Sequence, residues 1–133
     1  MRWRKDEKEF VATARTARVA TVDARGVPHN VPVCPLLDGD TICFATEKGA
    51  KKLRNIEANP QVAVVVDEYV EGWDHLRGVM VQGNARVVGK AEFRRLRKKL
   101  YTKFLQYRSA AAIGESDSVI VRITPGRKFS WGF

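Results

Sequence analysis

Between Asn59-Pro60 and the polar excursion Asp67 to His75 the chain reads Q-V-A-V-V-V-D (Gln61 to Asp67), an almost unbroken apolar run. A segment this short and this rich in β-branched side chains reads as a strand. With no polar alternation along it, it belongs in the middle of a sheet, covered on both faces. The chain must therefore supply strands on either side and elements to cover them. Its 133 residues suit one domain with a real core, spanning 1–133.

The other strands follow from the turn signals. Arg18 to Asp23 and Val27 to Val33 flank Ala24-Arg25-Gly26, with Gly26 the natural left-handed residue of a hairpin turn. Pro28 and Pro32 remove two N–H donors of one parity from the second of these strands, which makes it an edge strand or one paired on a single side. Asp38-Gly39 predicts a type I′ turn before the strand Thr41 to Thr46. A two-residue loop would set Cys34 opposite Cys43, close enough for a disulfide, whereas an Asp38-Gly39-Asp40 loop shifts the register by one; both remain open, and reduced thiols are expected. Arg77 to Val88 forms a long strand in which Val79 and Val81 alternate with Met80 and Gln82, with Gly83 marking a bulge. Ser118 to Thr124 is the last strand, followed by a Pro125-Gly126 turn and an aromatic tail.

Two stretches have helical period. Glu7 to Thr16 carries Phe10, Val11 and Ala14 on one face, and Glu92 to Tyr107 carries Phe93, Leu96, Leu100, Phe104 and Tyr107 at steps of three or four. Arg94, Arg95, Arg97, Lys98 and Lys103 fall on the opposite side of the second, which reads as its wet face. Six strands with helices added outside predict a mostly β fold, a small antiparallel barrel.

The stretch with most chemical content is F-A-T-E-K-G-A-K-K-L-R-N-I-E-A-N-P, from Phe44 to Pro60. A strand runs through Gly49 into a short helix beginning near Ala50, so Lys51 and Lys52 fall in its first turn. Free N–H groups and the positive dipole end already favour an anion there. Two ammonium groups suit a helix start poorly on dipole grounds, which points to a negative ligand, most simply a phosphate. The alternative is a pair of solvated lysines at a loop edge.

Other functional classes find little support. With 44% hydrophobic and 29% charged residues the composition is that of a globular protein. No apolar run approaches the roughly 18 to 20 residues of a membrane span, and M-R-W-R-K-D-E-K-E is too polar for a signal peptide; a cytoplasmic protein is expected. A formal charge of +9 raises nucleic-acid binding through the Arg94 to Arg108 face. No nucleic-acid role is expected, because paired exposed aromatics for base stacking are missing. His29, His75, Cys34 and Cys43 show no zinc spacing, so no metal is expected. Nucleophile and phosphate-loop motifs are missing too. No catalytic residue can be named, and any chemistry would belong to a bound cofactor.

The order of these pieces resembles the pyridoxamine 5′-phosphate oxidase-like, FMN-binding split β-barrel family, nearly end to end from Phe10 to Trp131. The pieces are A-R-V-A-T-V-D-A-R-G-V-P-H-N-V-P-V, L-D-G-D, A-K-K-L-R-N-I-E-A-N-P, V-D-E-Y-V-E-G-W, G-V-M-V-Q-G-N-A-R-V-V and a closing S-W. The resemblance is closest to a branch that includes F420-dependent enzymes. It implies a six-stranded antiparallel split β-barrel, a homodimer with two cofactor sites at the interface, and an FMN-dependent oxidoreductase acting on a small molecule. The alternatives are an F420-dependent reductase or a non-catalytic flavin- or heme-binding protein.

The implied cofactor residues are Lys51 and Lys52 for the phosphate, with Ala50 in place of a serine, and Ala45 and Thr46 on the preceding strand. His29, Asn30, Val31, Pro32 and Val33 would lie along the ring, and Arg77, Gln82 and Trp131 would come from the partner subunit. Gly78 stands where the oxidase proper has Gln, and R-K-F-S-W-G-F lacks its C-terminal substrate-binding Arg and His. Pyridoxamine phosphate oxidation is therefore not implied.

Overall fold

The computed structural model describes residues 1–133. Its ten main elements are α1 (Lys5–Thr13), β1 (Ala17–Val22), β2 (Pro28–Val33), β3 (Leu36–Asp38), β4 (Thr41–Glu47), α2 (Lys51–Ala58), β5 (Gln61–Glu68), β6 (Arg77–Val87), α3 (Lys90–Lys103) and β7 (Ser118–Trp131). The strands form one antiparallel sheet of 7, in the order β2-β1-β5-β6-β7-β4-β3. The sheet curls into a half-barrel, so the fold is a split β-barrel with seven strands where the sequence predicted six. The added strand is β3, whose three residues are too few to show a period.

Period two assigns the faces. Val19, Val64, Val81, Phe44, Val121 and Ile123 point inward and meet Phe10 and Val11 of α1 and Leu53 and Ile56 of α2 in one apolar cluster. On the outer face, α3 covers only the β7-β4-β3 part of the sheet, with Phe93, Leu96 and Leu100 packed on Leu36, Cys43 and Ile120. β5 is central between β1 and β6, yet only Val62, Val64 and Val66 are buried while Ala63 and Val65 are half-buried. The expectation that both its faces are covered is corrected: no helix crosses the β1-β5-β6 region from outside.

Three local expectations also change. Asp38 pairs with Thr41 and Leu36 with Cys43, so the hairpin loop is Gly39-Asp40, and the cysteines are free and not opposed. Gly39 has φ 61° and no non-glycine residue has positive φ, which fits a type II′ turn rather than type I′. The Thr41 hydroxyl donates to the Asp38 carbonyl at 2.7 Å and supports that register. β7 continues past Pro125-Gly126 instead of turning: Gly83 pairs with Pro125 and Gln82 with Arg127, so Gly126 is the extra residue of a bulge. A Cβ on Gly83 would lie 2.2 Å from the Thr124 carbonyl oxygen, so this crossing admits only glycine. Finally α3 stops at Lys103, and Tyr107 belongs to a separate turn of 3₁₀-helix at Leu105–Arg108.

Candidate functional site

β4 delivers the chain through Gly49 into α2, whose N-cap is Ala50, a residue with no side-chain acceptor for the first turn. The N–H groups of Lys51 and Lys52 make no hydrogen bond within the chain. Neither ammonium group takes part in an ion pair, and Lys51 is exposed while Lys52 is half-buried. Two ammonium groups and two unused N–H donors thus belong to one helical turn, groups of the kind that accept a phosphate. The turn lies beside the β1-β2 hairpin. There the Asp23 carboxylate accepts the Arg25 and Val27 N–H groups at 2.8 and 2.9 Å. Its pKa is held below the ordinary value mainly by the Val27 bond, with the charge of Lys51 adding to it.

α2 is held over β1 by Asn55, buried, whose amide donates to Thr21 Oγ1 at 3.0 Å. Thr21 pairs with His29, so α2 and the edge strand are fixed to one another. β2 pairs only with β1, as its two prolines require. By alternation His29, Val31 and Val33 face inward, whereas Asn30 and Pro32 face outward. Thr46 is 8% exposed on the inner side, while Ala45 packs on the α3 cluster; the two side chains point to opposite faces.

The remaining site candidates are divided as well. Gln82 and Trp131 lie on the uncovered outer face, the indole directly over Gly78, where a Cβ would come within 2.0 Å of the ring. Phe129 sits 5.7 Å from Trp131 between ring centroids and is 62% exposed. Arg77 is on the inner side: it donates to Glu68 at 2.9 Å and its guanidinium lies 4.8 Å from the Phe10 ring centroid. Lys51, Lys52, Thr46 and β2 thus form one group and Gln82 and Trp131 another. The sheet stands between them.

Charged networks that no local motif announces hold this frame. Asp38 accepts from Arg95, Lys99 and Arg122 at 2.8 to 3.0 Å, and Arg122 also donates to Glu92. The arginines and Lys99 hold the Asp38 carboxyl far below the usual range, the Arg95 bonds most of all, against an opposing effect of burial. Arg95 and Lys99 therefore tie α3 to the sheet and are not a simple wet face. Glu7 is wholly buried and accepts from Lys128 and Ser130 of β7 and from the Arg4 N–H. Burial pushes its pKa up, and those three donors together pull it below the ordinary value. No three His, Cys, Asp or Glu side chains gather as a metal cluster, and no helix is long and apolar enough to cross a membrane.

A curled antiparallel sheet with two unpaired edges, plugged by helices and offering a cationic helix start beside one edge, defines the split-barrel class. The chain belongs to the pyridoxamine 5′-phosphate oxidase family, whose model matches residues 4–132. It is 37% identical over 76 residues to a 5a,11a-dehydrotetracycline/5a,11a-dehydrooxytetracycline reductase of Streptomyces rimosus, a match covering 53% of this chain and 54% of the reductase; the aligned part is about half of that relative. An FAD-binding protein from Mesorhizobium loti superposes with a TM-score of 0.77 at 22% identity, over 94% of this chain and 90% of that one. An F420 reductase gives 0.77 at 22%, over 96% and 98%. At these identities the likeness is one of fold.

Proposed function

We propose that this chain is an FMN-dependent oxidoreductase that works as a homodimer, with each cofactor held between copies. The observation that carries the reading is the pair of unpartnered lysines with two free N–H groups at the start of α2. They fit a phosphate monoester: two cations and two main-chain donors match its charge and its several acceptor oxygens. Thr46 and the inward residues of β2, His29, Val31 and Val33, with the main chain of Asn30 and Pro32, would flank the ring, and Ala45 would serve through its main chain. The flavin, when bound, supplies the hydride or electron transfer to a small substrate. The protein's own part is to anchor, orient and exclude water. Gln82 and Trp131 sit on the far side of the sheet, so they reach such a ligand only from a second copy; Arg77, tied to Glu68, would shape the site indirectly. The reductase of Streptomyces rimosus and the flavin- and F420-named structures support redox chemistry.

Titration with FMN, read by flavin fluorescence, tests the reading. Lys51→Ala with Lys52→Ala removes two charge-assisted contacts, each on the order of 1.5–3 kcal/mol, so affinity for FMN falls at least about 100-fold. Riboflavin, which lacks the phosphate, binds both proteins alike. Equal FMN affinity in the double variant refutes the proposal. The F420 reductase match favours one second reading, in which the same lysines hold the phosphate of F420; a parallel titration decides between the two cofactors.

A further inference from the structure

α3 turns one side away from the sheet, and that side is almost wholly cationic. Lys90, Arg94 and Lys98 recur at steps of four and make one row along the helix, with Arg97 and Tyr101 on its flank. Arg95 and Lys99 lie on the other flank and are engaged by Asp38. Within the row Arg94 has one acidic partner, Glu115 at 2.7 Å, while Lys90 and Lys98 are exposed and enter no ion pair. Arg94, Arg95, Arg97, Lys98 and Tyr101 line a hollow of about 510 Å³ that borders no carboxylate. The segment after the helix is fastened beside this row: Arg97 donates to the Ile113 carbonyl at 3.2 Å, and the Ile113 N–H donates to the Tyr101 hydroxyl at 3.0 Å. That segment carries Leu105, 63% exposed, with Arg108, Ala110, Ala111 and Ala112 exposed as well. Arg108 also stands outside every ion pair. An apolar rim thus adjoins a cationic row. α3 covers the β7-β4-β3 part of the sheet, so a second copy seated over β1-β5-β6 leaves this side open.

We infer that this side of α3 is a docking surface for an anionic phospholipid bilayer. Lys90, Lys98 and Arg108 meet the headgroup phosphates, and the hollow between Arg94, Arg97 and Lys98 receives one of them. Each basic residue close to such a surface adds to the attraction. Leu105 and the three alanines distinguish a bilayer from other polyanions. An apolar side chain set beside cations gains by entering the boundary between headgroups and acyl chains, whereas a nucleic-acid backbone gives it nothing to be buried in. The contact lies in the membrane plane, since no helix is long and apolar enough to cross. It stands on α3 and the segment after it, apart from the lysines of α2, and does not rest on the flavin reading.

The test is flotation of the full chain with lipid vesicles. Wild type binds vesicles of phosphatidylglycerol and phosphatidylcholine in equal parts at least about tenfold more tightly than vesicles of phosphatidylcholine alone. At roughly fivefold for each basic residue, Lys98→Gln with Arg108→Gln weakens that binding on the order of 20-fold. Lys5→Gln with Arg25→Gln makes the same change in net charge at exposed positions of α1 and the β1-β2 turn. At about 0.1 M salt distant charges are screened, so this control pair weakens binding less than about threefold. Leu105→Ser leaves the charge unchanged and still weakens binding several-fold. All five positions are exposed, and the far-ultraviolet circular dichroism of every variant matches wild type. Equal losses in the two charge pairs overturn the inference, because net charge alone then accounts for the binding. So does undiminished binding by Leu105→Ser, and so does tighter binding to a random DNA duplex than to the acidic vesicles.

Discussion

Asp38 shows how much one residue can carry. From sequence it is a turn residue; in the fold its carboxylate is the shared acceptor for Arg95, Lys99 and Arg122, and both it and Arg122 are only 11% exposed. Replacing it with Asn leaves three cations facing one another, and such losses at buried pairs are on the order of 3 kcal/mol. Because the folded carboxyl has a depressed pKa, its contribution is complete above the ordinary value of about 4 and fades as pH falls toward the folded value. Denaturant unfolding of Asp38→Asn should thus show lower stability at pH 7 and a smaller loss than wild type on acidification below about pH 4. The hub could not be read from the sequence, since its partners lie 57, 61 and 84 residues away and any surface acid could have served. The placement of Lys51 and Lys52 in the first turn of α2 was legible because it is local, set by the strand, Gly49 and the helical period that follow one another there.

At the scale of elements, α1 is pinned by one buried carboxylate. Glu7 draws Lys128 and Ser130 of β7 to the helix start, and Lys128 also donates to the Arg2 carbonyl at 2.6 Å. Glu7→Gln strands a largely buried ammonium and should lower stability by about 3 kcal/mol, with Lys128→Met in the same chain restoring most of it. Hydrogen exchange should localise the single variant's loss to Lys5–Thr13. The elements were read most accurately where period and punctuation agreed, as for β1, β2, β5 and β6. They were misread where one signal had two meanings. Pro125-Gly126 is a turn by composition, yet a bulge absorbs it because Gly126 can be left unpaired while Gly83 passes against the opposite backbone. Around Asp38-Gly39-Asp40 the sequence offered two registers and the fold takes neither: the loop is Gly39-Asp40, supported by the side-chain bond from Thr41 to the Asp38 carbonyl.

For the molecule as a whole, the unpartnered outer face is the outstanding fact: Phe129, Trp131 and Met80 meet water while the two halves of the proposed cofactor site lie on opposite sides of the sheet. The proposed second copy would resolve both conditions. Light scattering should find a dimer in the wild type, and Phe129→Glu should shift it to monomer and weaken FMN uptake while leaving the far-ultraviolet circular dichroism unchanged. A dimer unaffected by that change would place the contact elsewhere. Finally, β2 and β3 end the sheet and neither is zipped to the other. A cylinder left unsealed can alter its bore by sliding at the slit while every rung of the ladder stays made. Substitutions along that margin can then reshape the hollow with no need for a new scaffold.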